Sequence, residues 1–196
     1  MANRHAITEA DLLPAADYAR ARTETRRAIG ERKRRRRVEV GPFVMFYFEC
    51  YDTLWLQVQE MLHIERGGAA QIPDELAAYN PLVPNGRELV AIFMIEIDDL
   101  VRRTNVLARL GGIEETAFLR VAGQPIRARA DADQDRTTAA GKASSVQFVH
   151  FPFTTAQIAA FLVPRAEVVL GLDHPNYGHM AVLPEAVRAE LAGDFD

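Results

Sequence analysis

Four segments of strand length are rich in apolar residues, and they constrain the fold of this 196-residue chain more than any other feature. They cover residues 38–49, 88–97, 145–153 and 167–172. The first is apolar at both odd and even positions, which point to opposite faces of a strand, and this is typical of a strand covered on two faces. Gly41-Pro42 interrupts it near its start and indicates a bulge or a sheet edge. The chain is therefore expected to build a sheet that other elements cover.

Helix and hairpin signals occupy the stretches between these strands. Helices are predicted over residues 52–66, from Asp98 or Asp99 to Gly111, over residues 154–162 and over residues 184–191. A hairpin is predicted over residues 116–130, with its turn at Ala122-Gly123. Together they predict an α+β protein with a mostly antiparallel sheet of about six to seven strands, a long basic N-terminal helix and helices packed on the sheet.

Length and composition predict one domain in the cytoplasm. With 196 residues, 48% of them apolar, the chain can bury a core, and we expect a basic helical arm (1–37) followed by an α+β core (38–196). The single cysteine, Cys50, excludes an internal disulfide and is typical of a reducing compartment. The N-terminus lacks the apolar region of a signal peptide, and no window has the roughly 18 apolar residues of a membrane span. No membrane partner is expected, and homo-oligomerisation stays open.

Positive charge is concentrated in one segment. Residues 20–37 contain ten Lys or Arg against two acids, while the whole chain has a net charge of −4, so the remainder carries about −12. The predicted helix has a narrow apolar stripe, which leaves its arginines facing solvent or a partner. The candidate partner-binding residues are Arg32, Lys33, Arg34, Arg35, Arg36 and Arg37. They are expected to pair with an acidic partner or with the protein's own acidic surface. Nucleic acid is disfavoured, because no aromatic residues interleave with the arginines and the acidic remainder would repel it.

Ionisable residues interrupt the apolar patterns at several places. Glu65 falls within the apolar stripe of a predicted helix, Glu96 interrupts one central strand, and His150 interrupts another. His174 and His179 follow the last predicted strand. If these five side chains converge, they suit a transition metal such as iron, manganese or zinc, or a general acid–base site. In the alternative, each marks a strand end or satisfies a buried backbone group.

The segment Asp173 to His179 is the densest group of metal-binding and proton-transfer side chains in the chain. If two strands flank its tight connection, His174 and His179 would face opposite directions and need not share one ligand. Elsewhere, Glu60 and His63 have the Glu-x-x-His spacing of carboxylate-bridged metal helices. They lie opposite the apolar stripe, so a surface pair is expected.

A loop rich in cations and hydroxyls precedes the strand over residues 145–153. Arg136, Lys142, Ser144 and Ser145 make it a candidate anion-binding loop. It is not a P-loop, because Arg136 stands where the first glycine should be and Ala143 replaces the hydroxyl residue. A solvated connection between strands is the alternative.

Several segments together resemble a bacterial family, domain of unknown function 3501. They are RRRRVEVGPFVMFYF (34–48), QVQEMLHIE (57–65), YNPLVPNGRELV (79–90), GKASSVQFVHFPF (141–153) and DHPNYGH (173–179). The resemblance implies no established activity, fold or cofactor. Position 63 is usually basic in that family, which weakens His63 as a ligand. Members are often encoded beside rubrerythrin-like and iron–sulfur oxidoreductase-like proteins, which implies a redox or peroxide-stress role and a protein partner.

Two hypotheses about function follow. The first is a non-catalytic accessory protein of a redox or stress-related system that docks an acidic partner, an iron–sulfur or rubrerythrin-like protein, through its basic helix. The second is a small metal-binding protein or acid–base enzyme with a Glu/His site near residues 173–179. The sequence names no cofactor and leaves a transition metal open. The first hypothesis is favoured, because it does not require distant Glu and His side chains to converge on one site.

Overall fold

Two antiparallel sheets form the framework of the protein, whose computed structural model describes residues 4–130 and 142–196. The strands are β1 (Arg37–Val40), β2 (Val44–Glu49), β3 (Glu88–Ile95), β4 (Ala117–Val121), β5 (Gln124–Arg127), β6 (Arg129–Ala130), β7 (Val146–Pro152), β8 (Val168–His174) and β9 (Tyr177–Val182). The first sheet has the order β1-β2-β3-β7-β6 and the second the order β5-β4-β8-β9. The α+β class is confirmed, with the strands divided between two sheets.

Helices cover the sheets and connect their strands. The helices are α1 (Ala15–Arg34), α2 (Tyr51–Glu65), α3 (Ile72–Tyr79), α4 (Leu100–Leu107), α5 (Thr155–Leu162) and α6 (Glu185–Leu191). Helix α1 ends at Arg34, three residues before the predicted basic segment does, and Arg37 already belongs to β1. None of the described helices is long and apolar enough to cross a membrane.

Strand β3 shows why the predicted strands are apolar on both faces. Its Phe93 belongs to a core shared by the two sheets, together with Phe46 of β2 and Leu170 of β8. Its Val90 belongs to a second core, where it packs with Val58 of α2. Both faces of β3 are therefore covered, which explains why its residues 89–95 are apolar at both odd and even positions.

The apolar segment over residues 38–49 is a hairpin rather than one strand. Val40 pairs with Val44 at the end of β1 and the start of β2, and Gly41 lies in the turn with a φ of +72°. Glycine adopts this left-handed conformation without the strain that a Cβ atom introduces. The Gly41-Pro42 interruption seen in the sequence is thus the turn itself.

Candidate functional site

The predicted loop over residues 173–179 is the tip of the β8–β9 hairpin. His174 pairs with Tyr177 across the hairpin, and Leu172 pairs with His179. Because cross-strand partners point to the same face of a sheet, His174 and His179 share one face. The prediction that they face opposite directions is therefore wrong. Two residues connect the strands, and this turn length sets the register.

His174 holds the hairpin tip against the end of α4. Its side chain is buried, its Nδ1 lies 3.2 Å from the Asn176 amide nitrogen, and its Nε2 lies 3.3 Å from the Gly111 carbonyl oxygen. An imidazole that accepts a hydrogen bond at Nδ1 and donates one from Nε2 has no lone pair left for a metal ion. In this conformation His174 is a structural residue.

His179 is held in place by the β1–β2 turn. Its ring centroid lies 4.4 Å from that of Tyr177, whose hydroxyl donates to the Val40 carbonyl at 2.7 Å and accepts from the Phe43 amide at 3.3 Å. Burial raises the pKa of the Tyr177 phenol. A Cβ atom at Gly41 would lie 2.6 Å from both His179 Cγ and the Tyr177 hydroxyl. The histidine ring is thus packed directly on the glycine backbone.

The β8–β9 hairpin, the β1–β2 turn and the segment at the end of α4 enclose a cleft of about 270 Å³, which we call the hairpin cleft. The lining residues are Pro42, Phe43, Val106, Arg109, Leu110, Asn176, Tyr177 and His179. The side-chain amide of Asn176 donates to the Arg109 carbonyl at 2.9 Å, and the Tyr177 hydroxyl donates to the Val40 carbonyl beside the β1–β2 turn. Within the described chain, the Arg109 guanidinium and the His179 imidazole make no hydrogen bond to the protein. The cleft therefore combines aromatic and aliphatic walls with two unpaired nitrogen groups.

The other predicted site residues lie in separate places. Glu65, the last residue of α2, is exposed and accepts from the Gln71 amide at 2.7 Å. Glu96 is exposed and accepts from the Tyr47 hydroxyl at 2.6 Å. His150 lies 3.2 Å from a carboxylate oxygen of Glu88. Among the described residues, no group of three or more His, Cys, Asp or Glu side chains is placed to hold a metal ion.

Arg36 is buried, although the sequence placed it among the partner-binding residues. It is 1% exposed, donates to the carbonyls of Phe48 and Glu49 at 3.0 and 2.9 Å, and pairs with Asp194. A side chain enclosed in this way is not available to a partner. The local run of arginines could not reveal this, because the partners of Arg36 come from β2 and the C-terminal end of the chain.

Other cations of the basic segment also lie against carboxylates of the same chain. Arg32 and Arg35 pair with Glu190 at 2.6 and 3.3 Å, and Arg32 also pairs with Asp52. Arg34 forms a surface pair with Glu31 at 2.8 Å. Of the remaining candidates, Lys33 is partly exposed and Arg37 is exposed on β1. The interpretation in which the helix pairs with its own acidic surface describes most of these contacts.

The candidate anion-binding loop is described only in part. Arg136 lies outside the described residues, and Lys142 is exposed. The Ser144 hydroxyl accepts from the Val146 amide at 3.2 Å, and Ser145 is partly buried at the start of β7. The contact of Ser144 is typical of a turn that leads into a strand.

The fold and the cleft define a class: an α+β protein in which two antiparallel sheets share a core and a hairpin tip forms one wall of a small cleft. The chain belongs to the family described as Protein of unknown function (DUF3501), whose model matches residues 6–195. The resemblance noted in the sequence is thereby confirmed.

A solved structure supports the same fold. It is the crystal structure of a novel protein of unknown function from Burkholderia pseudomallei K96243, determined at 1.90 Å resolution. It matches with a TM-score of 0.89 and 39% sequence identity, over 97% of this chain and 99% of that chain. No match was found among curated proteins.

Phe43 and Arg109 line the hairpin cleft, and Gly41 supports its wall, but none of the three was predicted as a site residue. Phe43 lies inside the strand predicted over residues 38–49, and Arg109 lies near the end of the helix predicted up to Gly111. Gly41 carried a usable signal, because a Gly-Pro pair inside an apolar segment often marks a turn. No local pattern indicates that this turn meets His179, which lies more than a hundred residues later in the chain.

Proposed function

We propose that this protein binds a small organic anion in the hairpin cleft. The observation that carries the proposal is that Arg109 and His179 both line the cleft, while the Arg109 guanidinium and the His179 imidazole make no hydrogen bond to any described residue. A guanidinium offers two parallel N–H donors to a carboxylate or phosphate, and such charge-assisted bonds are stronger than neutral ones. An oxyanion is thus the group that these nitrogens suit.

The walls of the cleft indicate the rest of the ligand. The rings of Phe43 and Tyr177 lie 4.5 Å apart at their centroids, and Val106 and Leu110 add aliphatic surface. A volume of about 270 Å³ is at the small end of the range for ligand sites. A carboxylate or phosphate ester attached to one flat apolar ring matches both the size and the lining.

The cleft is held in shape before a ligand arrives, which supports binding. His179 packs on Gly41, Asn176 donates to the Arg109 carbonyl, and His174 ties the hairpin tip to Gly111. A site whose side chains are already ordered loses less conformational entropy when a ligand binds. These contacts favour recognition of one ligand shape.

A role as a non-catalytic accessory protein in a redox or stress-related system is compatible with this proposal. Docking of an acidic iron–sulfur or rubrerythrin-like partner stays a separate prediction. It would depend on Lys33, Arg34 and Arg37, because Arg32, Arg35 and Arg36 bind carboxylates of α6 or the C-terminal segment, whereas Arg34 makes only an exposed pair with Glu31 of its own helix. A Glu/His metal or acid–base site near residues 173–179 likewise stays a separate prediction.

Isothermal titration with benzoate and with phenyl phosphate tests the proposal. We expect saturable binding of at least one probe, weakened roughly tenfold or more by Arg109→Gln, because a hydrogen bond to a charged group contributes about 1.5–3 kcal/mol. His179→Gln should also weaken binding. Arg102→Gln is the matched control, since Arg102 is an exposed arginine on α4, which leads into the turn that carries Arg109, but it does not line the cleft. The proposal would be contradicted if neither probe bound, or if Arg109→Gln bound the probes as tightly as the wild-type protein does.

A further inference from the structure

A second cavity lies among the helices and shares no lining residue with the hairpin cleft. We call it the helix pocket; its volume is about 290 Å³. Leu12 and Ala15 line it from the start of α1, Leu62 lines it from α2, and Ala69 and Ile72 line it from the connection into α3. Aliphatic side chains thus make up much of its wall.

One polar side chain in this wall has no partner. Gln59 on α2 is 2% exposed and lines the pocket, yet its amide makes no hydrogen bond to any described residue. A buried polar group left without a partner costs about 1–3 kcal/mol. Almost all buried polar groups in native proteins are paired, so an exception calls for an explanation. A ligand atom in the pocket would supply the missing hydrogen bond.

The polar neighbours of Gln59 are already engaged. The Tyr18 hydroxyl donates to Glu60 at 2.5 Å, and the Trp55 indole donates to the Asp11 carbonyl at 2.8 Å. The rings of Trp55 and His63 meet the Tyr18 ring edge-on, at centroid distances of 6.3 and 5.8 Å. The wall beside Gln59 is therefore fixed on this side, and the Gln59 amide nitrogen is a buried donor in the wall that lacks a partner.

The charges around the pocket select against an anion. No lysine or arginine is among its described lining residues, while Glu9 lies in the wall. The nearby carboxylate of Glu60 is neutralised by Arg22, with two contacts of 2.8 Å. An anion would find no arginine or lysine here and only the imidazole of His63 as a basic group, whereas a neutral ligand would keep the apolar contacts and the hydrogen bond to Gln59.

We infer that the helix pocket binds a neutral, mainly apolar small molecule whose carbonyl oxygen accepts a hydrogen bond from the Gln59 amide. The inference is independent of the hairpin cleft, because the two sites have no residue in common and would take ligands of different charge. An amide donor that meets a carbonyl in an apolar wall is a usual way to orient such a ligand.

A matched pair of probes tests the inference: acetophenone, which has a carbonyl, and cumene, the hydrocarbon of similar shape. Binding is measured by ligand-detected NMR on the full chain. Wild-type protein should bind acetophenone more tightly than cumene. Gln59→Leu should abolish this preference by weakening acetophenone about three- to tenfold, the value of one neutral hydrogen bond. Gln57→Leu is the control, since Gln57 lies on the same helix outside the pocket.

A second variant keeps the test decisive if Gln59→Leu does not fold. Ala69 is exposed and lines the pocket, so Ala69→Phe should fill the cavity and reduce the binding of both probes without disturbing the core. Three results would each overturn the inference: no binding of either probe, equal binding of both by wild type, or unchanged binding by Ala69→Phe. Binding of benzoate at the hairpin cleft would be unaffected in every case.

Discussion

Arg36 carries a positive charge into a part of the protein that solvent does not reach. Its guanidinium pairs with Asp194, a carboxyl whose pKa is raised by burial, against the opposing effect of Arg36 itself. Each charge therefore depends on the other. A buried pair of this kind need not add net stability, but removal of one partner leaves an uncompensated charge.

Replacement of Arg36 by methionine should lower the free energy of unfolding by about 3–5 kcal/mol, because Asp194 loses its counter-ion. Urea denaturation at neutral pH measures the change. The double variant Arg36→Met/Asp194→Leu should recover a large part of it. Arg34→Met, which removes only a surface pair, should change stability by less than about 0.5 kcal/mol. Equal effects of Arg36→Met and Arg34→Met would contradict the structural role of Arg36.

Gly41→Ala should destabilise the protein and displace His179. The left-handed backbone alone costs alanine about 1–2 kcal/mol, and the new Cβ atom would also clash with His179 and Tyr177. Gly123 separates these effects, because its φ is +78° but a Cβ atom there meets nothing within 4 Å. Gly41→Ala should therefore lose about 1 kcal/mol more than Gly123→Ala, from overpacking. Equal losses in thermal denaturation would show that the glycine is needed for its backbone alone.

Among the secondary-structure elements, α1 and α2 are linked by the Glu60 carboxylate of α2. Glu60 accepts from Arg22 and from the Tyr18 hydroxyl. Hydrogen bonding to Arg22, the largest effect, lowers the pKa of Glu60 to about 2, and the bond from Tyr18 contributes in the same direction. The Tyr18 pKa is raised, first by burial and then by its bond to Glu60. The contact is thus favourable only while Glu60 is ionised.

This pKa shift makes the α1–α2 contact sensitive to acid. The pKa of Glu60 is lower in the folded protein than its ordinary value of 4.5, so its contribution is fully present above pH 4.5 and lost as the pH falls towards 2. We expect Glu60→Gln to lower the free energy of unfolding by about 1–2 kcal/mol at pH 7, a value reduced for solvent screening. Urea denaturation from pH 7 to pH 2.5 should show this difference shrinking. A difference independent of pH would contradict the role of the carboxylate.

Local signals were enough to predict most elements but not their pairing. Turn and capping residues located the β4–β5 hairpin and α2, because those signals act within a few residues. The division into two sheets depends on which strands meet across long loops, which periodicity does not encode. The basic segment shows the same limit: Arg36 meets Asp194 and Arg32 meets Glu190 across nearly the whole length of the chain.

Across the whole molecule, part of the positive charge of residues 20–37 is neutralised by carboxylates of the same chain. Within residues 20–37, Arg22, Arg32 and Arg36 pair with carboxylates on α2, α6 and the C-terminal segment that follows α6. The candidate site could be predicted in part, since residues 173–179 do form one wall of a cleft. The other walls, around Phe43 and Arg109, could not be predicted, because only the packing of the two sheets and α4 brings them to the hairpin.

The most direct test of anion binding in the hairpin cleft is an amide NMR titration of the wild-type protein with benzoate and phenyl phosphate. We predict saturable shifts concentrated at residues 41–43, 106–110 and 176–179, the three segments that form the hairpin cleft, with the same shifts lost in Arg109→Gln. Shifts that are absent, or that lie on the basic segment over residues 20–37 instead of the cleft, would contradict the claim.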